Sequence, residues 1–206
     1  METKFTEQES LTLISEMIKQ ARSNFKKGGG NSMVFFGVLV SVIAILNIIL
    51  VLWNIYPNLS YSVWYLMIPG GIVGHLITKK VERESMVRTH LDAIISTTWK
   101  GYAYSIYIFL IVIFCIGFGK KMYDFFYLIN PVILILLGLA EFVAAKVYRF
   151  KPYLYGAIIM WIGALACIAA MWGWEPTVIQ FAILVFCMIF GFVVPGYKLN
   201  KLAKNS

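Results

Sequence analysis

The sequence predicts an all-α polytopic membrane bundle of six transmembrane helices, preceded by an amphipathic helix. Both chain ends are expected on one side. Three observations carry this. Of the 206 residues, 60% are apolar and only 14% charged, against roughly a quarter charged in soluble domains, and the mean hydropathy is +0.78. Six apolar runs approach the roughly 20 residues that a helix needs to cross a bilayer core, where no water satisfies exposed backbone groups. Sixteen of the 18 Lys and Arg residues fall on alternate connections, an asymmetry that places those connections in the cytoplasm.

Residues 1–32 form a polar cytoplasmic segment. Within it, 6–27 reads as an amphipathic helix in which Leu11, Ile14, Ile18 and Phe25 recur at helical spacing on one face. Thr6 and Glu9 have capping-box spacing, and Gly28-Gly29-Gly30 would end the helix and act as a flexible joint. This face either lies in the headgroup layer beneath the bundle or docks on a cytoplasmic protein partner. The first apolar run begins after these residues, spans a membrane by length and lacks a small-residue cleavage site, so no removable signal peptide is expected.

The membrane domain occupies 33–197, with spans at 33–53, 61–78, 102–119, 125–145, 153–172 and 177–195. The second and third are short. Pro69-Gly70-Gly71 interrupts the second, either as a break that frees carbonyls for a ligand or as a kink or close crossing, since Gly70 and Gly74 are spaced for helix contact. The 79–101 connection is expected to become a helix running into the third span, capped at Thr89 and Asp92. Pro131 sits in the first turns of the fourth span, where proline is tolerated. Gly156, Gly163, Ala166, Cys167 and Ala170 make the fifth span a close-packing helix, central in the bundle or at a homo-oligomer interface. Pro195-Gly196 is read as the end of the sixth, and 198–206 as a basic cytoplasmic tail.

Aromatic residues match this orientation. Trp53, Tyr56, Tyr61, Trp64, Tyr123, Trp172 and Trp174 would form an outer belt, and Trp99, Tyr102, Tyr148, Tyr153 and Tyr197 an inner one. The net charge of +8 is read as attraction to anionic lipid headgroups. No nucleic-acid motif is present, and nucleic acid is not an expected partner. The exits of the second and fourth spans, 74–83 and 140–149, look alike, as parallel repeats do in some transporters.

Ionisable groups inside spans are functional-site candidates by default, because they are expensive there. Glu141, in the fourth span, and His75, in the second, would lie at similar depth near the cytoplasmic side. One reading makes them a proton- or ligand-binding pair in an inward-facing cavity, beside Pro69, Gly70 and Gly71. The other has Glu141 reaching Lys146 or Arg149 while His75 bonds a backbone carbonyl. Asn47, Ser105, Asn130 and Gln180 are expected to bond between helices. Cys115, Cys167 and Cys187 show no metal-ligand spacing, and no phosphate-loop, dinucleotide, metalloprotease or hydrolase motif occurs. No catalytic residue, metal or cofactor is therefore expected, and the chain is not expected to be an enzyme.

Ser10-Leu11, Met17-Ile18, Phe25, the Gly28–Gly30 run and the span that follows carry a further likeness, as do Asn130-Pro131, Phe150-Lys151-Pro152 and Val194-Pro195-Gly196-Tyr197-Lys198. In these features the chain resembles an uncharacterised family of small six-span membrane proteins of Gram-negative anaerobic bacteria. The resemblance implies a bacterial inner membrane and the same topology, and brings no activity. Four classes of function stand: first a regulatory, structural or lipid- or ligand-sensing membrane protein, then a small transporter or channel built on Glu141 and His75, and after these an intramembrane enzyme, for which one carboxylate and one histidine are a thin constellation, and a protein of membrane insertion or envelope assembly.

Overall fold

The computed structural model describes residue 12 and residues 28–53, 61–84 and 90–205. The expected N-terminal helix, with Leu11, Ile14, Ile18 and Phe25, lies outside these residues apart from Thr12, as do Thr89 and the 54–60 connection. The described residues are helical, with no strand among them.

Helix α1 is Asn31–Leu52. A 3-10 segment, Tyr61–Leu66, leads into α2, Met67–Glu84. Helix α3, His90–Gly119, is one continuous rod, so the cytoplasmic helix expected after residue 89 does run into the third apolar segment. A second 3-10 segment, Tyr123–Leu128, precedes α4, Ile129–Tyr148, and α5 is Lys151–Ala170. The last rod comprises α6, Pro176–Cys187, a π-helical segment, Met188–Val193, and α7, Val194–Asn205.

Among the described residues, five helices are long and apolar enough to cross a membrane: those at Asn31–Leu52, His90–Gly119, Tyr123–Tyr148, Lys151–Ala170 and Pro176–Lys204. The second expected span is built differently. Its first six residues are 3-10, and α2 carries Lys79, Lys80, Glu82 and Arg83 in its last turns. No break occurs at Pro69-Gly70-Gly71, because the proline falls in the first turn of α2, where its missing N–H has no helical acceptor to lose.

Local chemistry sets the helix ends. Arg149 caps α4 in the left-handed conformation, φ 52°, and both its amide and that of Phe150 donate to the Ala145 carbonyl. Phe150 is extended, and Pro152 starts α5 with its preset φ. Glu175, also left-handed, and Pro176 start α6 in the same way.

The sixth rod does not end at Pro195-Gly196. In an α-helix, a proline at 195 would meet the carbonyl of residue 191 and leave it without a donor. Here the preceding turn is widened to π, with the Val194 amide donating to Ile189 five residues back, and the chain continues helically to Asn205. Gly196 is used for a close approach. A methyl group on Gly30 would strike the Gly196 carbonyl, and the Gly30 amide donates to Asn200 Oδ1 at 2.9 Å. Asn200 Nδ2 donates in turn to Asn31 Oδ1 at 2.8 Å. The end of the glycine run is thus fastened to α7, and its flexibility as a joint is lost at Gly30.

The rods pack in the order α2, α1, the α6–π–α7 rod, α5, α4, α3. Small residues make this approach close, since helix association in lipid depends on contact rather than on burial from water. Methyl groups on Gly70 and Gly74 would run into Leu39 and Phe36 of α1, and Ser32 and Thr78 share a hydrogen bond of 2.8 Å one turn further. Helix α5 is central within the chain, burying Tyr153, Gly156, Ala157, Met160, Gly163, Ala164, Cys167 and Ala170 against α4 and the sixth rod.

Candidate functional site

The buried face of α4 runs through Pro131, Leu134, Leu137, Gly138, Glu141, Ala144 and Ala145, at spacings of three and four. Glu141 therefore points inward because its position in the helical repeat requires it. Its side chain has 0% exposure. Both carboxyl oxygens are buried and have no hydrogen-bond partner among the described residues.

A glycine makes room for it. A methyl group on Gly156 of α5 would lie 2.6 Å from Glu141 Oε2 and 3.2 Å from its Cδ, and would collide with the Gly191 carbonyl of the π segment. Glu141 thus fills the point where α4, α5 and the widened turn meet. The phenols of Tyr102 on α3 and Tyr153 on α5 are its electrostatic neighbours. Trp99 stands edge-on to both Tyr102 and Phe192, each at 5.8 Å between ring centres, and Tyr153 stands edge-on to Phe150 at 5.1 Å. Aromatic rings from α3, α5 and the π segment gather beside the carboxyl, while Asp92 at the start of α3 is hydrogen-bonded to Tyr148 at the end of α4.

The other sequence candidates are dispersed. His75 is exposed on α2 and makes no hydrogen bond to Glu141, so the pair is not formed. Nor does Glu141 reach out to Lys146 or Arg149 as an ion pair; it is enclosed one turn deeper. Pro69 is exposed, Gly71 has open space beside it, and Gly70 is occupied by Leu39. Gln180 does bond between segments, as expected of a polar side chain in a span: its Nε2 donates to the carbonyls of Cys167 at 2.9 Å and Tyr127 at 3.1 Å. Asn47 and Asn130 are buried, whereas Ser105 is exposed. Cys167 and Cys187 are buried free thiols, and Cys115 is an exposed one.

No family model, curated protein or solved structure matches this chain.

Two cavities lie where the basic residues gather. One, of about 260 Å³, is lined by Leu76, Lys79, Lys80 and Arg83 of α2. The other, of about 200 Å³, surrounds the α4–α5 turn. Among the described residues, no cluster of three His, Cys, Asp or Glu side chains could hold a metal ion. Sequence reasoning found Glu141 and placed Gly156 on a close-packing face and Tyr102 and Tyr153 in the inner aromatic belt, but it brought none of them to Glu141 and did not single out Gly191. The one available signal was Pro195, four residues after Gly191, which marks a turn that cannot remain α-helical.

Proposed function

We propose that this chain is a non-enzymatic regulatory or lipid- or ligand-sensing protein of the bacterial inner membrane, with six spans and both termini cytoplasmic. One observation carries the functional reading: the Glu141 carboxyl is enclosed at a three-way helix contact, with no donor at its oxygens among the described residues. A catalytic or conducting carboxyl needs a substrate or water path. A carboxyl enclosed without a partner instead makes the contact itself sensitive, because any ligand or partner that separates α5 from the sixth rod changes the environment of Glu141. Such a site biases two packings of one bundle, which is what a sensing element requires. The 16-to-2 division of Lys and Arg supports the orientation, and the packing of α2 along α1 supports counting 61–78 as the short second span.

Proteoliposomes carrying a pH-sensitive dye test this reading against a Glu141-based transporter. The full chain and Glu141→Gln are expected to dissipate an imposed proton gradient no faster than empty vesicles. A proton leak present in the native chain and lost in Glu141→Gln would overturn the regulatory reading.

A further inference from the structure

We infer that the α4–α5 turn is a headgroup site for an anionic glycerophospholipid, with Lys146, Arg149 and Lys151 holding its phosphodiester. This goes beyond the sensing role and does not rest on it; it requires only that this end of the bundle lie at a membrane surface.

The cavity of about 200 Å³ at this turn is lined by Ala145, Lys146, Arg149, Phe150, Lys151 and Leu154, three cations and three apolar residues with no acid among them. A fixed backbone presents the cations. Arg149 is held at φ 52°, the amide of Phe150 donates to Ala145 at 3.1 Å, and that of Tyr153 to Phe150 at 3.2 Å. Phe150, 6% exposed, plugs the floor. The Lys146 ammonium is drawn over the Phe142 ring, 5.3 Å from its centre. Asp92, the acid at the start of the adjoining α3, is hydrogen-bonded to the Tyr148 hydroxyl.

The apolar lining continues away from the charged end. Leu154 is followed along α5 by Ile158, Ile162 and Leu165, exposed by 41%, 62% and 73%. These four share one face at spacings of four and three, giving an acyl chain a track that begins where the phosphate would sit. This continuity favours a lipid over a soluble phosphate compound. The other basic cavity draws its lining from the single helix α2, whereas this one is built from two helices and the turn that joins them.

The test is native mass spectrometry of the full chain released from phosphatidylcholine nanodiscs doped with phosphatidylglycerol. Each cation near an anionic surface contributes about fivefold in affinity, so replacing all three lowers retention on the order of a hundredfold. The triple variant Lys146→Gln, Arg149→Gly, Lys151→Gln is expected to lose bound phosphatidylglycerol, while Lys79→Gln, Lys80→Gln, Arg83→Gln retains it. Arg149→Gly alone should weaken retention about fivefold with its melting temperature holding or rising, since glycine adopts φ 52° without strain; this separates loss of charge from loss of fold. Equal loss in both triple variants would reduce the site to diffuse surface charge and overturn the inference. Unchanged retention in the 146/149/151 variant, or displacement of the lipid by glycerol phosphate at equal concentration, would do the same.

Discussion

Gly156→Ala tests the enclosure of Glu141 directly. The added methyl group meets the Gly191 carbonyl and lies 2.6 Å from Glu141 Oε2. Neither neighbour is the free end of a flexible side chain: one is backbone, and the other is a carboxyl with 0% exposure. Overpacking a filled interior costs up to about 3 kcal/mol, and the better helix propensity of alanine returns about 1 kcal/mol. The net loss is at most about 2 kcal/mol, which for a chain of this size lowers the melting temperature by no more than about 4–8 °C. Circular dichroism melting in one defined detergent reads this, with Gly71→Ala as the internal control because no atom lies within 4 Å of its added methyl. The control should be neutral or slightly stabilised. Glu141→Ala in the Gly156→Ala background removes one of the two collisions, so the pair should couple by about 1 kcal/mol in a double-mutant cycle. Equal melting of the Gly156 and Gly71 variants would refute the reasoning, since it would mean that α5 does not approach the widened turn.

Two further outcomes follow from other contacts. Gln180→Leu removes both donations from Nε2, to Cys167 and Tyr127; at roughly 0.6 kcal/mol for each interhelical bond in a membrane, it should destabilise by about 1 kcal/mol in the same melting assay. Ser32→Cys with Thr78→Cys, built in a Cys115→Ser background, should form a disulfide on mild oxidation, because the native hydroxyls are 2.8 Å apart. Alkylation counted by intact mass checks this, and full alkylation of both new thiols would mean that α2 does not stand along α1.

Much of the architecture was readable from residue order. Helicity, the apolar rods and the central place of α5 follow from composition and from small residues at helical spacing, properties that each segment carries itself. The inward direction of Glu141 was readable for the same reason, since Leu134, Leu137, Gly138 and Ala145 define its face. Proline left two readings to be decided by the structure. At Pro69 a break and a close crossing were both open, and the structure has the close crossing, with the ring in the first turn of α2. At Pro195 a helix end was read where a π turn carries the chain onward. In both cases the ring's effect depended on the register of the turn around it, which proline alone does not reveal.

Charge and hydropathy act over one helix at a time, so the sequence alone determined the all-helical class, its apolar rods and the gathering of cations at alternate connections. Only the tertiary structure decided what surrounds Glu141. Gly156 meets it from 15 residues away in the chain, and Gly191, 50 residues away, closes on Gly156 in turn, while His75, equally suggestive in the sequence, is exposed on a helix that packs against α1. Which residues share a depth can be counted along each span. Which of them share a contact depends on how the rods rotate and pair, and that is fixed by packing between helices rather than by any pattern within one.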